Sequence, residues 1–352
     1  MSRQWMIYGA TGYTGTLIAE EAVHQGLRPV LAGRNEGKLA PLAEKLNLPY
    51  RVFSLDDPGE IRRHLAEVDV VLHCAGPFSA TARPMVEACL DTHTHYLDIT
   101  GEIPVFEWVH GLDKQAREAG VILCPGVGFD VIPTDCLAAI LKEALPEATH
   151  LALGFDSRST PSAGTAKTSI EGIALGGRVR REGKIVSVPL AYAVRRIDFG
   201  NGEKTATTIP WGDVSTAYYT TGIPNIEVYI PLSPRAISRI RRLRMFQPLL
   251  KLSPIQAFLK RQAEKKFSGP DEEERRKANV YVWGEVRNPA GAIKAARFVT
   301  ANGYEVTRYG AIEVVKFLLQ HTPDPGSVTP SRLMDKELVF RLPGTSPLEW
   351  LS

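Results

Sequence analysis

A glycine-rich turn between an apolar strand and a helix is the feature that most restricts what this chain can fold into. The pattern Gly9-x-x-Gly12-x-x-Gly15 follows the apolar run 5–8 and precedes apolar residues at helical spacing over 14–25. Glycines let the backbone approach a pyrophosphate, and the helix N-terminus offers N–H groups and the positive end of its dipole. In this context the pattern predicts a dinucleotide site, and a turn that serves packing alone is the alternative. The predicted nucleotide contacts at this turn are Gly9, Thr11, Gly12, Tyr13, Thr14 and Gly15.

Apolar strands and helical segments alternate through the first 150 residues. The predicted strands cover residues 5–8, 29–32, 50–53, 68–73, 95–98 and 121–124. Strands separated by helices form right-handed βαβ units and a parallel sheet. The sequence therefore predicts an α/β fold in which residues 1–150 form a Rossmann-type, doubly wound parallel sheet.

The pattern changes after residue 150. Short apolar runs separated by glycine turns, and a hairpin over 278–301, predict a second, mixed α/β domain for substrate binding or dimerisation over 151–302. Helical spacing over 304–320 predicts a C-terminal helix, within a region 303–352, that packs back on the first domain.

Two basic residues follow the second predicted strand, where an NAD site carries an acidic side chain for the ribose 2′-hydroxyl. Here the residues are Arg34 and, one helical turn later, Lys38. A guanidinium can bind a 2′-phosphate bidentately, which a carboxylate would repel. The sequence thus favours NADP(H) over NAD(H), and a solvated surface arginine is the alternative.

Further candidates follow the later strands, because the carboxyl ends of parallel strands meet at the edge where such sheets bind ligands. The loop predicted to run beside the ribose and nicotinamide contains Ala75, Gly76, Pro77 and Phe78. The candidate catalytic residues at this edge are Tyr96, Asp98, Glu102 and Asp130. Each carboxylate can instead be a helix cap or a loop anchor.

Composition and motifs exclude several classes of protein. The net charge of +3 argues against nucleic-acid binding, and no apolar run is long enough to span a bilayer. Four cysteines without a C-x-x-C pair predict neither a disulfide scaffold nor a metal site. No tyrosine has a lysine four residues later, as short-chain dehydrogenases require. Since the first residues leave no room for a signal peptide, a cytoplasmic protein is expected.

Motifs throughout the chain fit one family. Those of the first domain are Gly9-x-x-Gly12-Tyr-Thr-Gly15, Ala32-Gly-Arg34, Ala75-Gly-Pro77, Tyr96-x-Asp98-x-x-Gly101-Glu102 and Pro125-Gly-x-Gly-Phe-Asp130-x-x-Pro133-x-Asp135. Later ones include Gly164-Thr165, Gly269-Pro270 and Tyr304-x-x-Thr307. With them the chain resembles the saccharopine dehydrogenase-like oxidoreductases, and within them the branch of trans-acting enoyl reductases and saccharopine dehydrogenase-like proteins. The resemblance implies an NADP-binding domain followed by a mixed α/β substrate domain.

The resemblance leaves the reaction open. Enoyl reductases reduce a carbon–carbon double bond of an acyl or polyketide chain, whereas saccharopine-type enzymes act on a C–N bond beside a carboxylate. Because the segment 162–169 is small and neutral apart from Lys167, a lipophilic acyl substrate is favoured, which would place the protein in lipid metabolism. Lys167 joins the catalytic candidates. A protein that binds NADP without turnover, as a sensor or scaffold, is the alternative from another class.

A basic segment covers residues 235–266. It contains ten basic residues and one acidic residue, Glu264, interleaved with apolar side chains. This composition fits contact with an anionic membrane surface or an acyl carrier, and equally a solvated helix pair that covers the substrate or forms a homodimer.

Overall fold

The computed structural model describes residues 3–157, 159–166, 170, 172, 176–244, 252–267 and 269–351. These residues form two compact units. The first contains the residues up to Ile132 together with Tyr304–Asp335, and the second contains Pro133–Gly303 together with the residues from Lys336 onward.

Strands and helices alternate in the first part of the chain. They are β1 (Trp5–Tyr8), α1 (Tyr13–His24), β2 (Val30–Gly33), α2 (Glu36–Leu46), β3 (Tyr50–Val52), α3 (Pro58–Leu65), β4 (Val70–His73), α4 (Phe78–Thr92), β5 (His95–Asp98), α5 (Ile103–His110), α6 (Asp113–Ala119) and β6 (Ile122–Cys124). Local chemistry sets the helix starts. The Asn35 side chain accepts a hydrogen bond from the backbone of Lys38, and Asp57 caps α3, whose first residue is proline.

The middle part of the chain is richer in strands. Its elements are α7 (Ile132–Ala144), β7 (His150–Asp156), β8 (Gly177–Arg181), β9 (Lys184–Val188), β10 (Val194–Asp198), β11 (Glu203–Thr208), α8 (Asp213–Thr221), β12 (Asn225–Pro231), α9 (Pro234–Leu243), α10 (Ser253–Lys266), α11 (Glu272–Lys277), β13 (Val280–Arg287) and β14 (Ile293–Thr300). The last part contains α12 (Gly303–Gln320), β15 (Gly326–Ser327), α13 (Pro330–Leu333), a 3₁₀ turn (Leu338–Arg341) and β16 (Glu349–Trp350).

A seven-stranded parallel sheet forms the centre of the first unit, with the strand order β15-β6-β5-β4-β1-β2-β3. β1 lies between β4 and β2, with Met6 beside both Val71 and Val30. All four residues of β1 are buried, as expected for a central strand with helices on both faces. The strand order reverses between β1 and β4, and ligands bind outside the carboxyl ends of strands at such a point.

The second unit contains a mixed sheet, with the strand order β10-β11-β12-β7-β13-β14-β16, in which β8 pairs with β12 and β9 pairs with β8. β7 and β12 are parallel, whereas β13 and β14 form the predicted antiparallel hairpin. α7 packs directly on this sheet, because a Cβ at Gly284 would lie 2.9 Å or less from the side chains of Leu137 and Leu141. The predicted fold class is therefore confirmed, including the C-terminal helix α12, which belongs to the first unit.

The compact units differ from the predicted domain boundaries in two places. The first stretch of unit one ends at Ile132 instead of residue 150, because α7 packs on the second sheet. The region 303–352 is divided, since β16 pairs with β14 and the residues from Lys336 onward belong to the second unit. Apolar residues across 105–118 occur at helical spacing, and the structure divides this stretch at Gly111 and Leu112, between α5 and α6.

Candidate cofactor site

The glycine turn lies where the first sheet reverses its strand order. Gly9 has a φ of +84°, and a Cβ there would lie 2.7 Å from the backbone nitrogen of Ala75 in the loop after β4. A Cβ on Gly15 would overlap the carbonyl oxygen of Gly9. Only glycine allows the two loops and the start of α1 to come this close.

The turn presents an uncapped helix start. Gly12 is the N-cap of α1 and is exposed. Because glycine has no side chain, the N-cap residue forms no side-chain hydrogen bond to this end of the helix. The neighbouring Thr11, Tyr13 and Thr14 are partly exposed. An exposed helix N-terminus of this kind suits the binding of a phosphate.

Arg34 lies at the same edge as the glycine turn. The backbone nitrogens of Gly9 and Ala10 donate to the carbonyl oxygen of Ala32, at 2.8 and 3.2 Å, which ties the turn to the end of β2. Arg34 and Lys38 are both exposed. The two cationic side chains therefore follow the strand directly beside the turn, as predicted.

The loop after β4 is held from two sides. The hydroxyl of Thr81 donates to the carbonyl oxygens of Ala75 and Pro77, at 2.6 and 3.1 Å. The two carboxylate oxygens of Glu102 accept hydrogen bonds from the backbone nitrogens of Phe78 and Ser79, at 2.9 and 2.7 Å. Glu102 thus caps the start of α4, where a negative charge is stabilised by the helix dipole.

Asp98 connects β5 to the loop after β6. Its carboxylate accepts from the hydroxyl of Tyr96 at 2.6 Å and from the backbone nitrogens of Thr100 and Gly126 at 2.9 and 2.8 Å. Both Asp98 and Tyr96 are fully buried. Burial raises the pKa of Asp98 to about 6, against the opposing effect of these hydrogen bonds. The contacts are those of an anchor for the 126–130 loop.

Asp130 lies at the far end of that loop and is partly exposed. Its carboxyl group is in contact with the backbone of Gly101, where a Cβ would overlap it. Burial raises the pKa of Asp130 to about 7. This carboxyl group therefore carries a proton for a substantial part of the time at neutral pH.

Two residues that sequence reasoning did not assign to the site also support it. The hydroxyl of Thr307, on α12, accepts from the backbone nitrogen of Phe129 at 3.0 Å and fixes the 126–130 loop. His73 ends β4, is fully buried and contacts the hydroxyl of Thr81 at 3.0 Å, and burial lowers its pKa to about 3. Thr307 could have been found from the motif Tyr304-x-x-Thr307. For His73 the sequence signal was its position at the end of a predicted strand.

The structure thus brings most of the predicted site residues to one edge of the first sheet. The glycine turn, Arg34 and the loop 75–78 follow the adjacent strands β1, β2 and β4. Glu102 bonds to the 75–78 loop, whereas Asp98 bonds to Tyr96 and to Gly126 in the loop after β6. Lys167 lies outside the described residues. No group of three or more histidine, cysteine or acidic side chains among the described residues could hold a metal ion.

The first part of the chain is similar in sequence to known proteins. The family model of the saccharopine dehydrogenase NADP-binding domain matches residues 5–124. A saccharopine dehydrogenase-like oxidoreductase of Mus musculus is 29% identical over 150 residues, which are 37% of this chain and 35% of that protein. A trans-acting enoyl reductase of Mycobacterium tuberculosis is 34% identical over 140 residues, 37% of this chain and 33% of that protein. The matches therefore span about a third of the length of these two relatives.

A solved structure shares the fold of the whole chain. Apo saccharopine dehydrogenase (L-Glu forming) of Saccharomyces cerevisiae superposes with a TM-score of 0.68 and 11% identity, covering 99% of this chain and 100% of that one. At this identity the likeness concerns the fold alone. The family model and the sequence relatives confirm the predicted resemblance and the predicted cofactor. Residues 5–124 of this chain thus match the NADP-binding domain of saccharopine dehydrogenase, and this match indicates NADP(H) as the cofactor.

Proposed function

We propose that the chain is an NADPH-dependent oxidoreductase that reduces a carbon–carbon double bond of an acyl or polyketide-type substrate. The observation that carries the proposal is the glycine turn beside Arg34, at the point where the strand order of an NADP-binding sheet reverses. When bound, NADPH supplies a hydride for the electrophilic carbon of the substrate. The protein then has to bind the substrate, orient it and supply a proton to it.

The binding roles follow from the position of each group. Gly9, Gly12 and Gly15 receive the pyrophosphate at the start of α1, with the partly exposed Thr11, Tyr13 and Thr14 beside it. Arg34 and Lys38 bind the 2′-phosphate. The loop of Ala75, Gly76, Pro77 and Phe78 would hold the ribose and nicotinamide, and the bonds from Glu102 and Thr81 keep this loop in place.

We assign the proton donor to Asp130. Of the four described catalytic candidates it is the one residue that is partly exposed, whereas Tyr96 and Asp98 are inaccessible and Glu102 caps α4 with both oxygens. Its raised pKa of about 7 leaves a proton on the carboxyl group about half of the time at neutral pH. The other three then act as positioning residues.

The choice of a neutral, acyl-type double bond rests on two observations. The first is the 34% identity to a protein named trans-acting enoyl reductase. The second is that three arginines of the second sheet form ion pairs with glutamates of the protein. A substrate carboxylate would instead need a guanidinium that is available to bind it. Arg195 forms a bidentate pair with Glu285 at 2.8 and 3.1 Å, Arg297 pairs with Glu349, and Arg181 pairs with Glu227.

The test is NADPH oxidation with three substrate classes: enoyl thioesters, pairs of a keto acid and an amine, and quinones. We expect turnover with the enoyl thioesters. Turnover only with the keto acid and amine pairs would assign saccharopine-type chemistry instead. Tight NADPH binding without turnover in any class would indicate a sensor or scaffold.

The variant Asp130→Asn tests the proton donor. It should lower kcat by about 100-fold or more, the usual contribution of a general acid, while NADPH affinity stays unchanged. For the wild type, kcat should fall as the pH rises above about 7, because the donor loses its proton. Asp91→Asn, on the exposed end of α4, is the control. Unchanged turnover in Asp130→Asn would remove this residue from the mechanism.

Homodimerisation and a cytoplasmic location stay predictions.

A further inference from the structure

The second unit carries a concentration of positive charge that the proposed function does not use. Residues 235–266 have a net charge of +9, so the rest of the chain carries −6. The described parts of this segment are residues 235–244, which lie in α9 and at its end, and residues 252–266, which include α10. We call these described parts the basic surface. Such a separation of charge produces a strong local field although the net charge of the chain is small.

α9 is anchored on one face and cationic on the other. Ile237 is buried, and Arg244 donates to the carbonyl oxygen of Leu190 at 2.7 Å. Its exposed cations Arg235, Arg239 and Arg242 follow one another at i, i+4 and i+7 and therefore share a helix face. Within the part of the chain that the structure describes, no carboxylate lies within ion-pair distance of these three side chains.

In α11, a solvated helix of the same unit, basic side chains form ion pairs with acidic ones. Arg276 pairs with Glu272 at 2.5 Å, and Lys277 pairs with Glu273, each at the i+4 position. α9 has no acidic residue at all. Its cations are therefore arranged differently from those of an ordinary solvated helix, and they remain available for an external anion.

Large apolar side chains are also exposed within the basic surface. Phe258 is 60% exposed and Leu252 is 50% exposed, which makes them the two most exposed large hydrophobic side chains in the described ranges. Leu243, at the end of α9, is 45% exposed. On α10, Phe258, Arg261 and Lys265 occur at i, i+3 and i+7, so an exposed aromatic ring and two exposed cations share one face.

From these observations we infer that the basic surface binds the surface of an anionic lipid bilayer. Helices that lie in a membrane interface combine cationic side chains, which attract acidic headgroups, with apolar side chains that enter the boundary of the acyl chains. Arg235, Arg239 and Arg242 supply the first property, and Phe258, Leu252 and Leu243 supply the second. An acidic carrier protein would meet the same charges but would not require the exposed phenyl ring. The inference is independent of the reaction that the protein catalyses.

The experiment is co-sedimentation of the full chain with vesicles of phosphatidylcholine mixed with phosphatidylserine, compared with phosphatidylcholine alone. We expect the wild type to bind the anionic vesicles, to be released by raised salt, and to stay in solution with the neutral ones. The triple variant Arg235→Gln/Arg239→Gln/Arg242→Gln should bind about 100-fold more weakly, since each basic residue near such a surface contributes about a fivefold factor.

The matched control is Lys184→Gln/Arg276→Gln/Lys277→Gln, which removes the same charge from other parts of the second unit and should bind like the wild type. Phe258→Ser should bind more weakly than Leu351→Ser, which removes an exposed apolar side chain elsewhere. NADPH binding, measured in parallel, should be intact in all variants.

Three outcomes would overturn the inference. In the first, the wild type stays in the supernatant with anionic vesicles. In the second, the triple variant binds as tightly as its control. In the third, the wild type binds an acidic acyl carrier protein but no vesicle, which would reassign the basic surface to a carrier.

Discussion

Arg34→Gln should weaken NADPH binding and leave NADH binding unchanged. The end of β2 is fixed to the glycine turn by the hydrogen bonds of Gly9 and Ala10 to Ala32, so Arg34 occupies a defined position at the nucleotide edge. A hydrogen bond to a charged group contributes about 1.5–3 kcal/mol. Because Arg34 is exposed and solvent screens its charge, the lower end of that range applies, about 1.5 kcal/mol or roughly a tenfold loss of affinity.

Isothermal titration calorimetry with both coenzymes measures this effect directly. Arg28→Gln is the control, because Arg28 is exposed, precedes β2 at its other end and donates to the carbonyl oxygen of Asn47. The ratio of NADPH to NADH affinity should fall about tenfold in Arg34→Gln and stay constant in Arg28→Gln. An unchanged ratio in Arg34→Gln would show that another group selects the phosphorylated coenzyme.

Two further predictions concern the carboxylates behind the site. Glu102→Gln should lower the free energy of unfolding by about 2 kcal/mol, because it removes a buried charge that caps α4, whereas Glu87→Gln on the exposed face of α4 should cost less than about 0.5 kcal/mol. Urea denaturation checks both, and equal losses would contradict the capping role. The second prediction concerns Asp98, whose pKa is raised in the folded state. Its favourable contribution is complete below about pH 4 and is lost as the pH rises to about 6, so the wild type should lose about 3 kcal/mol relative to Asp98→Asn over that range. A stability difference that does not change with pH would show that the carboxyl group titrates normally.

The parallel sheet could be predicted because its signals are local. Each of the six predicted strands overlaps an observed one, and the cap at Asn35 and the proline at the start of α3 are signals of the same local kind. The break between α5 and α6 could not be predicted, since the helical periodicity of apolar residues continues past Gly111 and no proline marks the interruption.

The roles of the carboxylates depended on contacts that no sequence pattern reveals. Tyr96 and Asp98 are two residues apart on a strand, so their shared face was foreseeable. The bonds from Asp98 to Gly126 and from Glu102 to Phe78 join different loops. Thr307 bonds to a residue 178 positions earlier in the chain. Contacts of this range arise from the tertiary packing and could not be inferred from spacing.

The last strand of the cofactor-binding sheet has a consequence for the order of folding. β15 pairs with β6, and α12 contributes Thr307, yet both are synthesised after the whole of Pro133–Gly303. At ribosomal rates of 5–20 residues per second, that intervening stretch takes roughly 10–30 s to emerge. During this interval the nascent nucleotide fold has an open edge beside β6 and lacks the hydroxyl that fixes its 126–130 loop. We therefore expect the growing chain to acquire coenzyme affinity late, only after translation has passed β15.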